Sequence, residues 1–573
     1  MKRTLAILLT SLLSALGDPA PNVILILTDD QGYGDLSCHG NPVLKTPELD
    51  KLYADGFRFT NFHTSPFCTP TRASLMTGRY PAATGAFRTS SGRTMMHTDE
   101  TTIAELFSAS GYKTALIGKW HLGDNAPHRP QDRGFQEVVW HKAGGIGQAP
   151  DYWGNDYFDD TYERNGKLEK FEGYCTDVWF RESMRFIEES KDEPFFLYLP
   201  LNAPHGPYFV GEEWKKPYLF ADQDGYYSNF LGMIANIDYN FGLLQAKLKE
   251  LSLEENTIVI FMSDNGTACG AKFKGLDSLP QGGYNAGLRG KKSSIYEGGH
   301  RVPFLIRWPA GGVKGGKDVD HLTAHLDLLP TLAKVCGVDV PDDLDLDGRS
   351  FHTLLEDPKA DAHRDHIILQ YHGGAGLKYD FDPWINTCIM HGPWRLINEK
   401  ELYHIDRDRA QQQNVFDQHP EVVAKMREFY PAFWEKVSPR MTAVSIDIGN
   451  PNDNPTVLSS QDWYMPKGNP PWSSGQVAKR PKVTGPWNLN VKTAGKYHFK
   501  LRQLPEEAQK PMVGVVSAKL EINGQTKTVE VSEGAMAAEI TVDLPEGLTT
   551  LKTYLTYTDG SVGGAYYAEV ELQ

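Results

Sequence analysis

Cys68 is followed by Thr-Pro-Thr and then Arg72, and the chain continues Ala-Ser-Leu-Met-Thr-Gly-Arg. A proline two residues after the cysteine suits the first turn of a helix, so the Cys68 thiol is predicted at the helix's positive end, where an anion is favoured. Two pairs of hard oxygen donors lie elsewhere, Asp29 and Asp30 in LTDDQG and Asp264 and Asn265 in MSDNG. A divalent cation accepts such a mixed carboxylate and amide set, calcium in particular. Lys119 and His121 stand in GKWHLG, His205 in APHGP, and Lys291 and Lys292 in LRGKKSS. Imidazole is suited to moving protons near neutral pH, and converging Lys and Arg side chains can bind a small anion.

Something must bring these residues together, and four short apolar runs can do it. NVILIL ends just before Asp29, KTALIG before Lys119, FFLYL before the loop reaching His205, and TIVIF before Asp264. Amphipathic helical patterns lie between them, in TPELDKLYADG, ETTIAELFSASG, DVWFRESMRFIEES and YYSNFLGMIANIDYNFGLLQAKLKEL. Strands alternating with helices predict an α/β fold, a large mixed, mostly parallel sheet sandwiched by helices, and such sheets bind ligands at the carboxyl ends of their strands. This unit is expected over residues 18–365, with a smaller C-terminal α+β lobe over 366–438. Residues 439–573 are expected to be a Pro/Asn/Gly/Ser-rich linker and an all-β sandwich, with alternating strands and an Asn523-Gly524 hairpin turn.

The CTPTR string resembles the signature of formylglycine-dependent sulfatases, the arylsulfatase-like branch of the alkaline-phosphatase-like superfamily. In that family a maturation enzyme reads Cys-x-Pro-x-Arg and oxidises the Cys to an aldehyde. Thr71 stands where the family more often has Ser. GKWHLG, APHGP, MSDNG and the Lys-containing loop before EGG resemble further motifs of the same family, and the likeness runs from about Pro21 to Val437. The resemblance implies a formylglycine hydrate at residue 68 that attacks sulfur and forms a covalent sulfo-enzyme. It also implies one calcium, with magnesium as an alternative, held by Asp29, Asp30, Asp264, Asn265 and the modified Cys68. Lys119 would hold the hydrate and a sulfate oxygen. His121 would be the base that expels sulfate, His205 the acid that protonates the leaving alcohol, and Lys292 with Arg72 would bind sulfate. Lys291 is expected to be solvated.

Composition sets the outer limits. The chain has 573 residues, 40% of them hydrophobic and 23% charged, and a formal charge of −15, which excludes nucleic acid as a partner. MKRTLAILLTSLLSALG has the pattern of a cleaved signal peptide over residues 1–17, too short to span a bilayer, so export to the periplasm or exterior is expected with no transmembrane anchor. Six cysteines are too few for a disulfide framework. The loop-like stretch from His141 to Tyr174, rich in aromatic, Asp and Asn residues, is a candidate for sugar subsites, as are His372 and Trp394 more weakly. The expected substrate is a sulfated polysaccharide or its oligosaccharides. The rival readings are a formylglycine-dependent phosphate or phosphonate ester hydrolase and an inactive core that binds sulfated glycans.

Overall fold

A computed structural model describes residues 20–221, 225–269, 284–361, 364–372, 382–466 and 468–573. The predicted signal segment lies outside the described residues. One mixed sheet of ten strands forms the frame: β1 (Asn22–Thr28), β2 (Phe57–Phe59), β3 (Lys113–Lys119), β4 (Glu137–His141), β5 (Thr161–Arg164), β6 (Lys167–Lys170), β7 (Phe195–Pro200), β8 (Thr257–Ser263), β9 (Phe304–Arg307) and β10 (Lys317–Val319). Their spatial order is β10-β2-β9-β8-β1-β7-β3-β4-β5-β6. The five central strands, β8 to β4, run parallel, and antiparallel pairings appear where β9 meets β8 and where β5 follows β4.

The four runs preceding the reactive residues are therefore neighbours and point the same way. Parallel strands buried on both faces need continuous apolar sequence. In β1, Ile24 and Ile26 face one core while Val23, Leu25 and Leu27 face the other. Helices α1 (Pro47–Asp55), α4 (Cys175–Glu189) and α5 (Tyr226–Glu250) cover the first face. Helices α2 (Cys68–Thr77), α3 (Ile103–Ala109) and α6 (Leu328–Cys336) cover the second. Among the described residues no helix is long and apolar enough to cross a membrane.

A second lobe follows, an antiparallel sheet of His366–Gln370, Thr387–His391, Trp394–Ile397 and Glu401–His404 backed by helices Pro420–Arg427 and Tyr430–Val437. Beyond it, two sheets share one apolar core. Asn523 and Gly524 both have positive φ, 47° and 72°, the geometry of a two-residue hairpin turn between Ile522 and Gln525. The longest strand of this module, Gly547–Tyr557, pairs with both Trp487–Val491 and Val515–Ile522. Its interleaved Thr and Lys residues carry little of the apolar signal that marks the others.

The residues between 439 and 485 do more than connect. They supply strands Ile446–Ile448 and Thr456–Ser459, and Trp463 packs its ring on Trp487 at 5.6 Å and Tyr566 at 5.9 Å. The module is also joined to the first unit, because Met95 and Ala149 belong to its apolar core. The Tyr567 hydroxyl donates to the Ala149 carbonyl at 2.9 Å, and Asn125 Nδ2 donates to the Val457 carbonyl at 2.9 Å. A chain ended at Arg440 would leave the surface around Met95 and Ala149 uncovered, and it is expected to aggregate in size-exclusion chromatography; a monodisperse, cooperatively melting fragment would contradict this docking.

Candidate active site

The site is assembled at the carboxyl ends of β1, β3, β7 and β8. Backbone pairing continues past the strands: Asp29 N–H donates to the Ala203 carbonyl and Asp264 N–H to the Thr28 carbonyl, both at 3.1 Å. Asp29, Asp30, Asp264 and Asn265 are thereby brought together and fully buried. Cys68 opens α2, whose ten residues are all buried, with Phe67 as its extended N-cap. Two of the predicted site residues take left-handed backbone, Asp30 at φ 72° and His121 at φ 60°. Each such residue costs about 1–3 kcal/mol, a strain that persists only where surrounding contacts hold it. At Gly144 a Cβ would lie 2.3 Å from His121 Cε1, so the glycine is the space in which that ring sits.

Three carboxylates face three permanent cations. Lys119 Nζ donates to Asp29 at 2.5 Å, Lys292 Nζ to Asp30 at 2.6 Å, and Arg72 Nη2 to Asp264 at 2.9 Å, while Arg72 Nη1 also donates to the Lys119 carbonyl at 3.1 Å. Asn265 Nδ2 donates to Asp30 at 2.8 Å, and His205 Nε2 lies 3.7 Å from the same carboxylate. The Cys68 thiol lies 3.4 Å from His121 Nδ1, and the other nitrogen of that ring meets the Thr89 carbonyl at 3.2 Å. Lys291 reaches the Ala268 carbonyl at 3.4 Å instead of facing solvent freely.

Burial and charge pull the titrations apart. Burial, reinforced by the neighbouring Asp29, pushes Asp264 up to about 7 in spite of Arg72. Burial also raises Asp30, but Lys292 and His205 outweigh it and hold that carboxyl below its ordinary range. His121 is driven well below the usual imidazole value by burial and then by Lys119 and Arg72; burial and Lys292 bring His205 down to about 4. Burial raises the Cys68 thiol above its ordinary value, although Lys119 and Lys292 oppose it.

The donor set fits a hard divalent cation. Ligand atoms of Asp29, Cys68 and Asp264 lie within 4.8 Å of one another, as do those of Asp29, Asp30 and His205. Asp29 Oδ1 and Asn265 Oδ1 are buried acceptors with no hydrogen-bond partner, a costly state that a cation would relieve. A third cluster, His63, Glu297 and His300, is occupied otherwise, since Glu297 pairs with Arg395 at 2.6 Å and Arg301 at 3.0 Å.

A cleft of about 610 Å³ opens above Cys68, with His121, His205 and Lys292 in its wall. Several of its other lining groups stand outside the sequence motifs: Thr89, Ser90, Gln148, Asn469 and Trp472. None lies at a strand end, although the Trp after Pro470-Pro471 in a polar stretch was a usable signal. The expectation for the His141–Tyr174 stretch needs correction. Tyr157, Tyr162, Phe171 and Tyr174 are buried in the main core, and from this stretch Gly144 and Gln148 line the cleft. His372 and Trp394 are not among its lining residues; Trp394 packs on His404 and His419, and His372 lies near Phe87 and Trp434.

Comparison with known proteins agrees with this fold. The sulfatase family model matches residues 21–338, and the model for the N-sulphoglucosamine sulphohydrolase C-terminal region matches residues 289–430. Human N-acetylgalactosamine-6-sulfatase is 33% identical over 368 residues, covering 60% of this chain and 68% of that protein; human arylsulfatase A is 34% identical over 360 residues, covering 58% and 68%. The crystal structure of Ps i-CgsB in complex with k-i-k-neocarrahexaose superposes with a TM-score of 0.65 at 31% identity, over 74% of this chain and 95% of that one. The chain belongs to the sulfatase family of the alkaline-phosphatase-like superfamily and is a sulfuric ester hydrolase.

Removing metal should therefore lower stability. Excess calcium added to chelator-treated protein is expected to raise Tm, by the equivalent of about 2.7 kcal/mol at a hundred times Kd, and Asp264→Asn should shrink the shift. An unchanged melting curve on calcium addition would contradict the metal assignment.

Proposed function

We propose that the protein is exported and hydrolyses sulfate esters of polysaccharides or their oligosaccharides, with a formylglycine hydrate made from Cys68 as nucleophile. The observation that carries this reading is the placement of Cys68, first residue of a buried helix and 3.4 Å from His121, beside the acidic cluster. In the hydrate one hydroxyl attacks sulfur as the ester's C–O oxygen departs. The second then loses its proton, the carbonyl re-forms, and sulfate leaves as the hydrate C–O bond breaks.

The roles implied by the family resemblance are supported by position. His121 takes the proton of the second hydroxyl, its neutral form being favoured by burial and two nearby cations. His205 protonates the leaving sugar oxygen; burial and Lys292 disfavour its charged ring, so the proton it gives depends on the Asp30 carboxylate beside it, which favours the charged form and keeps the ring directed into the site. Lys119, Lys292 and Arg72 balance three carboxylates, so they alone leave little positive charge for a sulfate. Asp29, Asp30, Asp264 and Asn265 would hold a calcium ion, which supplies the remaining positive charge when bound. The sugar substrate is favoured by the likeness to a sulfatase named for N-acetylgalactosamine 6-sulfate and to a structure that holds a neocarrahexaose.

Sulfate release from carrageenan, fucoidan, ulvan and glycosaminoglycan oligosaccharides, run beside phosphate and phosphonate esters, tests the reading. Release from at least one sulfated sugar is expected, and turnover of phosphorus esters alone would overturn it. Cys68→Ala should fold normally and lose turnover, and substantial residual activity would refute the nucleophile. His205→Ala should lose about 10²–10⁴-fold on sugar sulfates and less on nitrophenyl sulfate, whose leaving group needs little protonation; equal losses would contradict the acid role.

A further inference from the structure

The chain beyond residue 440 lies past both matched family models, yet it reaches the catalytic cleft. Asn469 and Trp472 line the same cavity as Cys68, His121, His205 and Lys292. We infer that Trp472 and Asn469 of the C-terminal module form a sugar subsite, on which a pyranose ring of the sulfated substrate stacks and hydrogen-bonds. This deepens the proposed function and rests on its sugar-sulfate reading.

Trp472 is held as a binding group is expected to be. Pro470 and Pro471 restrict the chain before it, and after it Ser473 caps a short helix, accepting from Gln476 N–H. The Trp472 N–H donates to Gln476 Oε1 at 2.9 Å, and its carbonyl accepts from Ala149 N–H at 2.8 Å. Both ends of the peptide unit are thus fixed, one within the module and one on the catalytic unit. The indole itself stacks on no other ring among the described residues and is half-buried, leaving a face for a ligand. Asn469 is exposed and offers amide donors and an acceptor. The rest of the wall is cationic or polar apart from Phe67, so Trp472 supplies the broad apolar face that suits the C–H side of a pyranose.

The same module also braces the loop that carries Thr89. Ser91 N–H donates to the Gln461 carbonyl at 2.9 Å, and Arg93 lies over the Tyr464 ring at 3.8 Å. These contacts fix the loop whose Thr89 carbonyl meets His121. Gln148 also bridges to Ser473, and the Ser474 hydroxyl donates to the Gly147 carbonyl at 2.7 Å. The subsite and the orientation of His121 are therefore built on one frame.

The test uses the full-length, matured protein and the sulfated oligosaccharide that it desulfates best. Trp472→Ala should lower kcat/KM on that sugar by about tenfold or more, with most of the loss in KM, and less on nitrophenyl sulfate; Trp472→Phe should recover much of it. Asn469→Ala, at an exposed position, should raise KM severalfold and keeps the test open if Trp472→Ala misfolds. If wild type releases sulfate from sugars and these variants match it, the subsite is refuted and the proposed function stands. If wild type releases sulfate from no sugar, both fall together.

Discussion

Three carboxylates are buried side by side with a cation locked against each, and most of the architecture serves that pairing. Asp29, Asp30 and Asp264 are each met by a different side chain, Lys119, Lys292 and Arg72, and all but Lys292 are almost wholly screened from water. Breaking one such pair by removing a partner costs about 3–5 kcal/mol, because it strands the other charge in a poorly solvating medium. The frame must therefore be stiff, and parallel strands sharing a dense core on each face make it so. The groups at their carboxyl ends inherit that rigidity.

Balanced charge has a chemical consequence. A pocket in which cations and carboxylates cancel has little surplus attraction for sulfate, yet it keeps unsatisfied oxygens on Asp29 and Asn265, with the Asp264 carboxyl held above its ordinary range by burial. Those are the marks of a place for a divalent cation, whose charge would tip the site toward anion binding. The thiol at its edge is buried at the start of α2 and set against His121. The imidazoles on either side differ in surroundings, His121 held between Cys68 and a carbonyl and His205 set against Asp30, which fits opposite duties in proton transfer.

Much of this was legible in the sequence because it was local. Strand ends announce themselves by an apolar run followed at once by Asp29, Lys119 or Asp264, and the hairpin at Asn523-Gly524 follows from two residues that tolerate positive φ. Long-range packing was not legible. Tyr157, Tyr162, Phe171 and Tyr174 looked like sugar platforms but are core residues, since composition cannot say which face of a loop is covered. Residues 439–485 looked like connecting chain because seven prolines, four glycines and many Ser and Asn residues break up the apolar ones there. Trp463 nevertheless buries itself against Trp487, and the Pro-Pro-Trp472 turn is delivered to the cleft by contacts from Gly147 to Ala149, more than 300 residues earlier in the chain.

The central claim is that residue 68 is an aldehyde in the working protein. Trypsin should release residues 59–72 as one peptide, and its mass, measured on protein made together with a formylglycine-generating enzyme, decides the matter. The account predicts a peptide lighter than the encoded sequence by replacement of sulfur with oxygen and loss of two hydrogens. An unmodified thiol at residue 68 in protein that still releases sulfate would contradict it.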